Sequence, residues 1–346
     1  MKCNILFLMA CVAAPMRAEE PISFSGFVDL AAVYNANRPA SHENFLPGAG
    51  TSAKRANELM LNLAQVQWTR TATAEQPVGF TLALVAGEGS DVVHAGEPNG
   101  AGEFRHVYQA SVAYRLRNGV LLEAGIYPSH IGTEGFYSKD NWNYTRSWLG
   151  ELSPYYQAGA KASYSFNERW SAQLHVLNGW QLIHDNNGGK SIGTRLAYTD
   201  GALNASLNTF IGPELASDDR SLRKLVDLVV LYRVAPRLQL GGSMDVGTQE
   251  RPDASDARWL GAGAFARYPF TGRQALAVRA EQFRDRDAGI TGASQTLREA
   301  TVTYELRPRE HVILRLETRY DRSTARVFAD HERTELLAVA GAVVTF

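Results

Sequence analysis

The chain has 346 residues, of which 45% are hydrophobic and 21% charged, with a formal net charge of −1. That length holds one or two ordinary domains or one large barrel, and the balanced charge excludes a chain drawn as a whole to nucleic acid or to an acidic surface. Gly, Tyr and Phe are plentiful, at 30, 14 and 14, whereas Cys occurs only 2 times, a mixture that favours β structure over helix.

At the N-terminus, Lys2 is followed by an apolar stretch from Ile5 to Ala14 and by Met16-Arg17-Ala18, which ends in a small residue. This order predicts a secretion signal at residues 1–18, cleaved after Ala18, with one mature domain at 19–346. The stretch is too short to span a bilayer, which takes about 20 apolar residues. Leu8-Met9-Ala10-Cys11 loosely resembles a lipid-attachment box, but too little apolar sequence precedes Cys11 for that reading to lead. Cys3 and Cys11 both fall in the signal, so the mature chain must be held by its core or its sheet rather than by disulfides. No later apolar run is long enough for a membrane helix. If the mature chain sits in a membrane it is therefore a closed barrel, the other fold that satisfies every backbone group in lipid.

The remaining sequence repeats one theme, an alternating segment followed by a turn or a longer polar loop. Alternation marks a strand because successive side chains point to opposite faces. Glu58 to Trp68 changes phase around Ala64, as a β-bulge would produce. Tyr108, Ala110, Val112, Tyr114 and Leu116 share one face, opposite Gln109, Ser111, Ala113 and Arg115. From 156 to 166 the apolar set is Tyr156, Ala158, Ala160, Ala162, Tyr164 and Phe166, against Gln157, Gly159, Lys161, Ser163 and Ser165. The same split recurs through residues 170–176, 192–198, 203–208, 226–233 and 312–319, while 261–266 is Gly-rich and weakly patterned. The last segment sets Leu336, Ala338, Ala340, Ala342, Val344 and Phe346 on one face.

A soluble sandwich also alternates, but its inner face must be large enough to fill a core. Here the apolar face is thin and alanine-rich, with Tyr, Trp or Phe near strand ends, as in the aromatic girdles of membrane barrels. Tight connections such as 117–119, 167–169, 199–201, 235–237, 271–273 and 308–310 carry the Asn, Asp, Gly and Pro that turns demand. Longer segments interleave with them, near 35–57, 89–103, 128–154, 180–190, 213–221, 248–257, 286–294 and 322–333. Short turns on one rim and long loops on the other predict a transmembrane antiparallel β-barrel of about 16 strands, with periplasmic turns and extracellular loops.

Between Trp142 and Arg251, several short blocks occur in a particular order. They are 143–147 (NYTRS), 153–159 (SPYYQAG), 178–180 (NGW), 185–193 (DNNGGKSIG) and 212–214 (GPE). Together they resemble the OmpL-like β-barrel porin family. The resemblance implies an outer-membrane barrel of poorly defined substrate and no catalytic residue set. The terminal strand ending in Phe346 resembles the signal read by the barrel-assembly machinery, which, with outer-membrane lipid, makes up the expected partners. The expected location is the outer membrane of a Gram-negative bacterium.

No nucleophile elbow, phosphate-cradling loop or paired-histidine zinc motif is present. His42-Glu43 and His331-Glu332 lack a second histidine at helical spacing, so neither a metal nor a cofactor is expected. Inward parity makes Lys161, Arg195, Asp227, Arg279, Glu281, Arg315, Glu317 and Arg319 candidates to line the lumen, with Arg233, Glu299 and Glu305 beside them. Such residues together set a pore's field. The long segment 128–154 is the third long loop, and an extracellular course and, by analogy with well-known porins, an inward one stand equally open. On the inward course, Glu134, Lys139, Asp140, Arg146 and Glu151 would meet wall charges at a constriction, while Trp142, Tyr144 and Trp148 suggest packing. On the extracellular course the loop never enters the lumen. The leading function is passive diffusion of small polar solutes or ions, with a homotrimer as analogy only. A blocked adhesive or structural barrel is the runner-up, disfavoured by many inward Gly, Ser and Asn that argue for open space. An outer-membrane enzyme trails both.

Overall fold

The computed structural model describes residues 22–44, 50–98, 100, 102–252 and 254–346; the expected signal at 1–18 lies outside the described residues. The strands are β1 (Ser23–Asn35), β2 (Glu58–Arg70), β3 (Val78–Ala86), β4 (Val107–Arg115), β5 (Leu121–Pro128), β6 (Tyr156–Ser165), β7 (Trp170–Leu177) and β8 (Ser191–Thr199). They continue as β9 (Leu203–Pro213), β10 (Leu222–Ala235), β11 (Leu238–Gln249), β12 (Ala257–Pro269), β13 (Gln274–Asp285), β14 (Gln295–Arg309), β15 (Val312–Ser323) and β16 (Thr334–Thr345). Each pairs antiparallel with its neighbours in sequence, and β1 closes on β16, giving a closed barrel of 16 strands. Closure matters because a barrel has no free edge, so no strand leaves its backbone groups unpaired in lipid.

The closing seam is built around a small residue. Gly26 and Phe346 exchange backbone hydrogen bonds of 2.9 and 3.0 Å, and the ring of Phe346 lies where a Cβ on Gly26 would sit, 2.5 Å from its Cζ. The Phe346 ring also lies 6.0 Å from the tilted ring of Phe24, which meets Trp68 at 5.4 Å. Other outward aromatic pairs ring the same, short-turn end: Tyr164–Phe166, Trp170–Tyr198 and Tyr268–Phe270, at 5.3, 4.9 and 5.4 Å. Amphipathic rings hold this position at a membrane interface.

Alternation sorts the wall as expected. On β15, Leu314, Leu316, Thr318 and Tyr320 are exposed to the lipid side, while Ile313, Arg315, Glu317, Arg319 and Asp321 are buried inside. The turn and loop boundaries agree within a few residues, and a further short turn, 71–77, joins β2 to β3. The phase change in β2 is a bulge opposite Asp29 and Leu30, which places Asn62 and Leu63 both inward.

Three outward assignments are corrected. Tyr108 sits at a register shift between β3 and β4, so it turns inward and its hydroxyl donates to the Tyr155 carbonyl at 3.3 Å. Tyr156 and Ala158 do not face lipid, being buried. The segment between β3 and β4, which opens with helix α1 (Glu88–Val93), lies against Tyr156: its hydroxyl donates to Glu97 and its ring stacks on His94 at 4.9 Å.

Candidate functional site: an inward loop clamped to a charged wall

The segment between β5 and β6, residues 129–155, starts and ends beside proline. Pro128 closes β5 and Pro154 precedes β6, which suits strand ends because proline cannot donate to a ladder. Just below it, Gly125 and Gly159 are register partners with φ of 127° and 157°. A Cβ at either would lie 2.1 Å from a backbone oxygen, so the wall at this point requires glycine.

From there the loop crosses the barrel interior and is gripped by one strand after another. His130 Nδ1 lies 2.9 Å from Gln157 Oε1 and its Nε2 lies 3.0 Å from the Thr209 carbonyl oxygen. Arg195 donates to the His130 carbonyl at 3.1 Å, and the Gly132 N–H donates to Asp227 at 2.7 Å. Arg279 forms an ion pair with Glu134 at 2.8 Å. Arg315 donates to the carbonyls of Ser138 and Asn141 at 2.5 and 2.8 Å. The N–H groups of Tyr144 and Thr145 both donate to Glu317, at 2.6 and 3.0 Å, and Arg319 donates to the Arg146 carbonyl.

The short helix α2 (Trp148–Glu151) continues this pattern. Ser147 caps it, accepting from the Gly150 N–H at 3.0 Å. Its first N–H groups, on Trp148 and Leu149, donate to Glu281. A helix start leaves such donors without partners, so a wall carboxylate opposite them satisfies both their hydrogen bonds and the helix dipole. Trp148 Nε1 reaches Asp321 at 2.7 Å, and Ser153 reaches Asp245 at 3.1 Å.

The wall charges are themselves cross-linked. Arg279 pairs with Glu299 at 3.0 Å, Arg315 with Glu305 at 2.7 Å and Arg319 with Asp321 at 2.7 Å. Of the expected inward residues, Arg195, Asp227, Arg279, Glu281, Arg315, Glu317 and Arg319 thus meet at the loop. Lys161 does not: it pairs with Glu123 at 2.9 Å and lies over the Tyr127 ring at 4.4 Å.

The loop's own charges divide differently from expectation. Glu134 forms an ion pair with the wall, through Arg279. Lys139 and Asp140 pair with each other at 2.8 Å. Glu151 accepts from the N–H and hydroxyl of Thr51, in the β1–β2 loop, and burial pushes its carboxyl above the ordinary range despite nearby Arg146. Arg146 is fully buried, with its guanidinium over the rings of Phe136 and Tyr155 at 5.8 and 5.6 Å. It contributes its backbone carbonyl to the wall, not its charge.

The inward glycines are the main departure. Where they face the loop they do not mark open space, because loop side chains fill the room they leave, and Gly241 and Gly247 are filled by the wall side chains Leu231 and Trp259. A Cβ on Gly193 would lie 2.5 Å from the His130 ring, on Gly261 2.5 Å from Leu149, and on Gly341 2.6 Å from the Tyr144 ring. Two apolar clusters complete the packing, one around Tyr144, Trp148, Leu149, Trp259 and Phe283, the other around Phe27, Tyr108, Phe136 and Tyr155. Between the loop and the β10–β12 wall is a cavity of about 90 Å³, lined by Thr133, Glu134, Asp140, Asn141, Trp142, Leu231 and Phe265.

Sequence reasoning passed over Asp29, Asp245, Asp321 and His130. The three aspartates follow the inward parity of β1, β11 and β15, so alternation alone marks them. Asp29 accepts from the Tyr144 hydroxyl at 2.9 Å and from Ser138. His130 carries no comparable signal, since besides Gln157 on the next strand its partners, Arg195 and Thr209, lie on strands much farther along the chain.

A family model described as "Putative beta-barrel porin-2, OmpL-like" matches residues 21–346. No curated protein sequence matches the chain. Its fold is similar to the outer membrane channel DcaP of Acinetobacter baumannii, with a TM-score of 0.63 at 11% identity over 95% of this chain and 98% of that one. It is similar to an anion-selective porin from Comamonas acidovorans, with a TM-score of 0.63 at 13% identity over 94% and 99%. It also resembles the trimer form of OmpT, an outer membrane protein of Vibrio cholerae, with a TM-score of 0.62 at 11% identity over 94% and 99%.

Proposed function

The chain belongs to the OmpL-like β-barrel porin family, and from that premise we propose that it is a passive diffusion channel whose bore is set by residues 129–155. It is an outer-membrane porin of 16 strands, a size at which a barrel can enclose water. The observation that carries the constriction is the clamp itself. Arg279, Glu281, Arg315, Glu317 and Arg319, on β13 and β15, all bond to the inward loop. Solutes then pass on the side the loop leaves to β10–β12, past Asp140, Trp142, Leu231 and Phe265.

This reading assigns the wall charges to positioning and to the field, and gives none of them a chemical step. The test is single-channel recording of the refolded chain in a planar bilayer, alongside a variant in which residues 136–146 are replaced by a short Gly-Ser link. Discrete steps that grow several-fold in the variant support the proposal. A folded barrel that never conducts, with or without the loop, sinks it and favours the blocked adhesive barrel.

A homotrimer is part of the same proposal. One neighbour was obtained as a trimer, and the outer face of this barrel has a shallow apolar groove along β16 and its neighbours, where Ala32, Val302, Thr318, Ala338 and Ala340 are short. Small residues let two backbones approach closely in lipid. Sedimentation of the detergent-solubilised protein decides it, and an Ala340→Trp variant is expected to run as the monomer.

A further inference from the structure

We propose that the wall beneath the loop is a docking site for small organic anions, held by Arg233 and Arg267 and extended by Arg307. The proposal rests on the channel reading above for its route of access, and it names the class of solute that route favours.

The charge balance there is uneven. Arg267 on β12, Arg307 on β14 and Arg315 on β15 converge on one carboxylate, Glu305, at 3.0, 3.0 and 2.7 Å. Arg267 reaches it across β13 because the inward residues there, Ala275 and Ala277, are short. One carboxylate cannot neutralise three guanidiniums. Arg315 is buried and gives its other N–H groups to loop carbonyls. The side chains of Arg267 and Arg307 remain 23% and 39% exposed, and among the described residues each gives only one hydrogen bond to Glu305. Arg233, exposed on β10, has Gln239 as its register partner, and Gln239 is in turn the partner of Arg267.

An apolar shelf adjoins these arginines. Leu231 and Phe265 stand two residues along β10 and β12 from Arg233 and Arg267, and with Trp142 of the loop they line the 90 Å³ cavity. Two strand residues span about 7 Å, which is the reach of a carboxylate attached to a single ring. The acids at the cavity do not oppose this arrangement, because Glu134 is paired with Arg279 and Asp140 with Lys139. A ring or short alkyl body can therefore rest on Leu231, Phe265 and Trp142 while its carboxylate meets guanidinium N–H groups, the pairing that arginine makes best.

Two measurements on the full chain test it. In detergent, benzoate binding is followed by calorimetry, with benzylammonium as the cationic control. In a planar bilayer, the reversal potential in a KCl gradient gives the ion preference. We expect benzoate and not benzylammonium to bind, with affinity falling about tenfold or more in Arg267→Ser combined with Arg233→Ser. We expect chloride to be preferred over potassium, by a ratio that drops about threefold for each guanidinium removed and is kept in Arg267→Lys. Binding that ignores both arginines, equal binding of the two probes, or a potassium preference overturns the proposal even where the barrel conducts. Arginine-dependent benzoate binding in a barrel that never conducts leaves this site standing and removes the porin reading instead.

Discussion

Glu317 offers the sharpest test of how the loop is held. Its carboxylate is buried and accepts from the Tyr144 N–H, the Thr145 N–H, the Thr145 hydroxyl and the Thr303 hydroxyl, at 2.6, 3.0, 2.5 and 2.6 Å. In Glu317→Gln the shape is kept, but one oxygen becomes an NH₂ group. Whichever oxygen is lost, it faced one backbone N–H and one hydroxyl. The hydroxyl can rotate and accept; the N–H cannot. The substitution therefore removes one or two charge-assisted hydrogen bonds, worth about 1.5–3 kcal/mol each, and strands a buried donor at about 1–3 kcal/mol. Other strands still hold the loop, so the loss falls on the stretch around Tyr144, at about 3 kcal/mol or more. Hydrogen exchange of a peptide covering residues 141–148 is expected to speed up on the order of a hundredfold, with exchange in β9 and β10 unchanged. Single-channel current is expected to become noisier in the same variant. Unchanged loop exchange in a folded barrel would refute the claim that wall carboxylates, rather than packing, fix the loop.

Further expectations concern the glycine seats, the base of the loop and the seam. Gly341→Ala drives a methyl group into the Tyr144 ring and is expected to cost about 1–3 kcal/mol of loop stability, read as loosened protection of the same peptide; wild-type protection would mean that the ring has room to move. Burial holds the His130 imidazole below its ordinary value. The unpinned state then takes up a proton first, so the anchor is at full strength above about pH 6.5 and weakens as pH falls. Proteolysis of the loop should rise between pH 7 and pH 5 in the wild type and not in His130→Asn, whereas parallel profiles in both would remove His130 from the account. At the seam, Gly26→Val is expected to push the Phe346 ring off the barrel wall and lower the yield of heat-modifiable folded barrel severalfold, because overpacking of a close contact is destabilising. Folding with the wild-type yield would show that closure relies on the backbone pairs alone.

The barrel was legible in the sequence because the signal for it is local. Side chains on a strand alternate regardless of what lies around them, so the lipid and lumen faces of β15 or β16 can be read residue by residue. Turn chemistry marked most of the short connections, and the charges on β13 and β15 followed from parity. The same logic failed where the backbone slips. The register shift beside Tyr108 has no distinctive local spelling, and it turned an expected lipid-facing ring into part of the interior. It failed again at Tyr156, where a loop from another part of the chain covers the strand end.

What the inward loop does was decided only in three dimensions. Glu317 and Thr145 lie 172 residues apart, and Arg279 and Glu134 lie 145 apart. Nothing in either segment alone specifies its partner. The glycines show the same limit: an inward glycine reads as vacant space in a single strand, yet Gly193, Gly261 and Gly341 accept His130, Leu149 and Tyr144 from the loop. Alternation determined which way each wall residue points, since that depends on its own backbone. Tertiary structure determined what each one meets, since that depends on where a distant segment comes to rest.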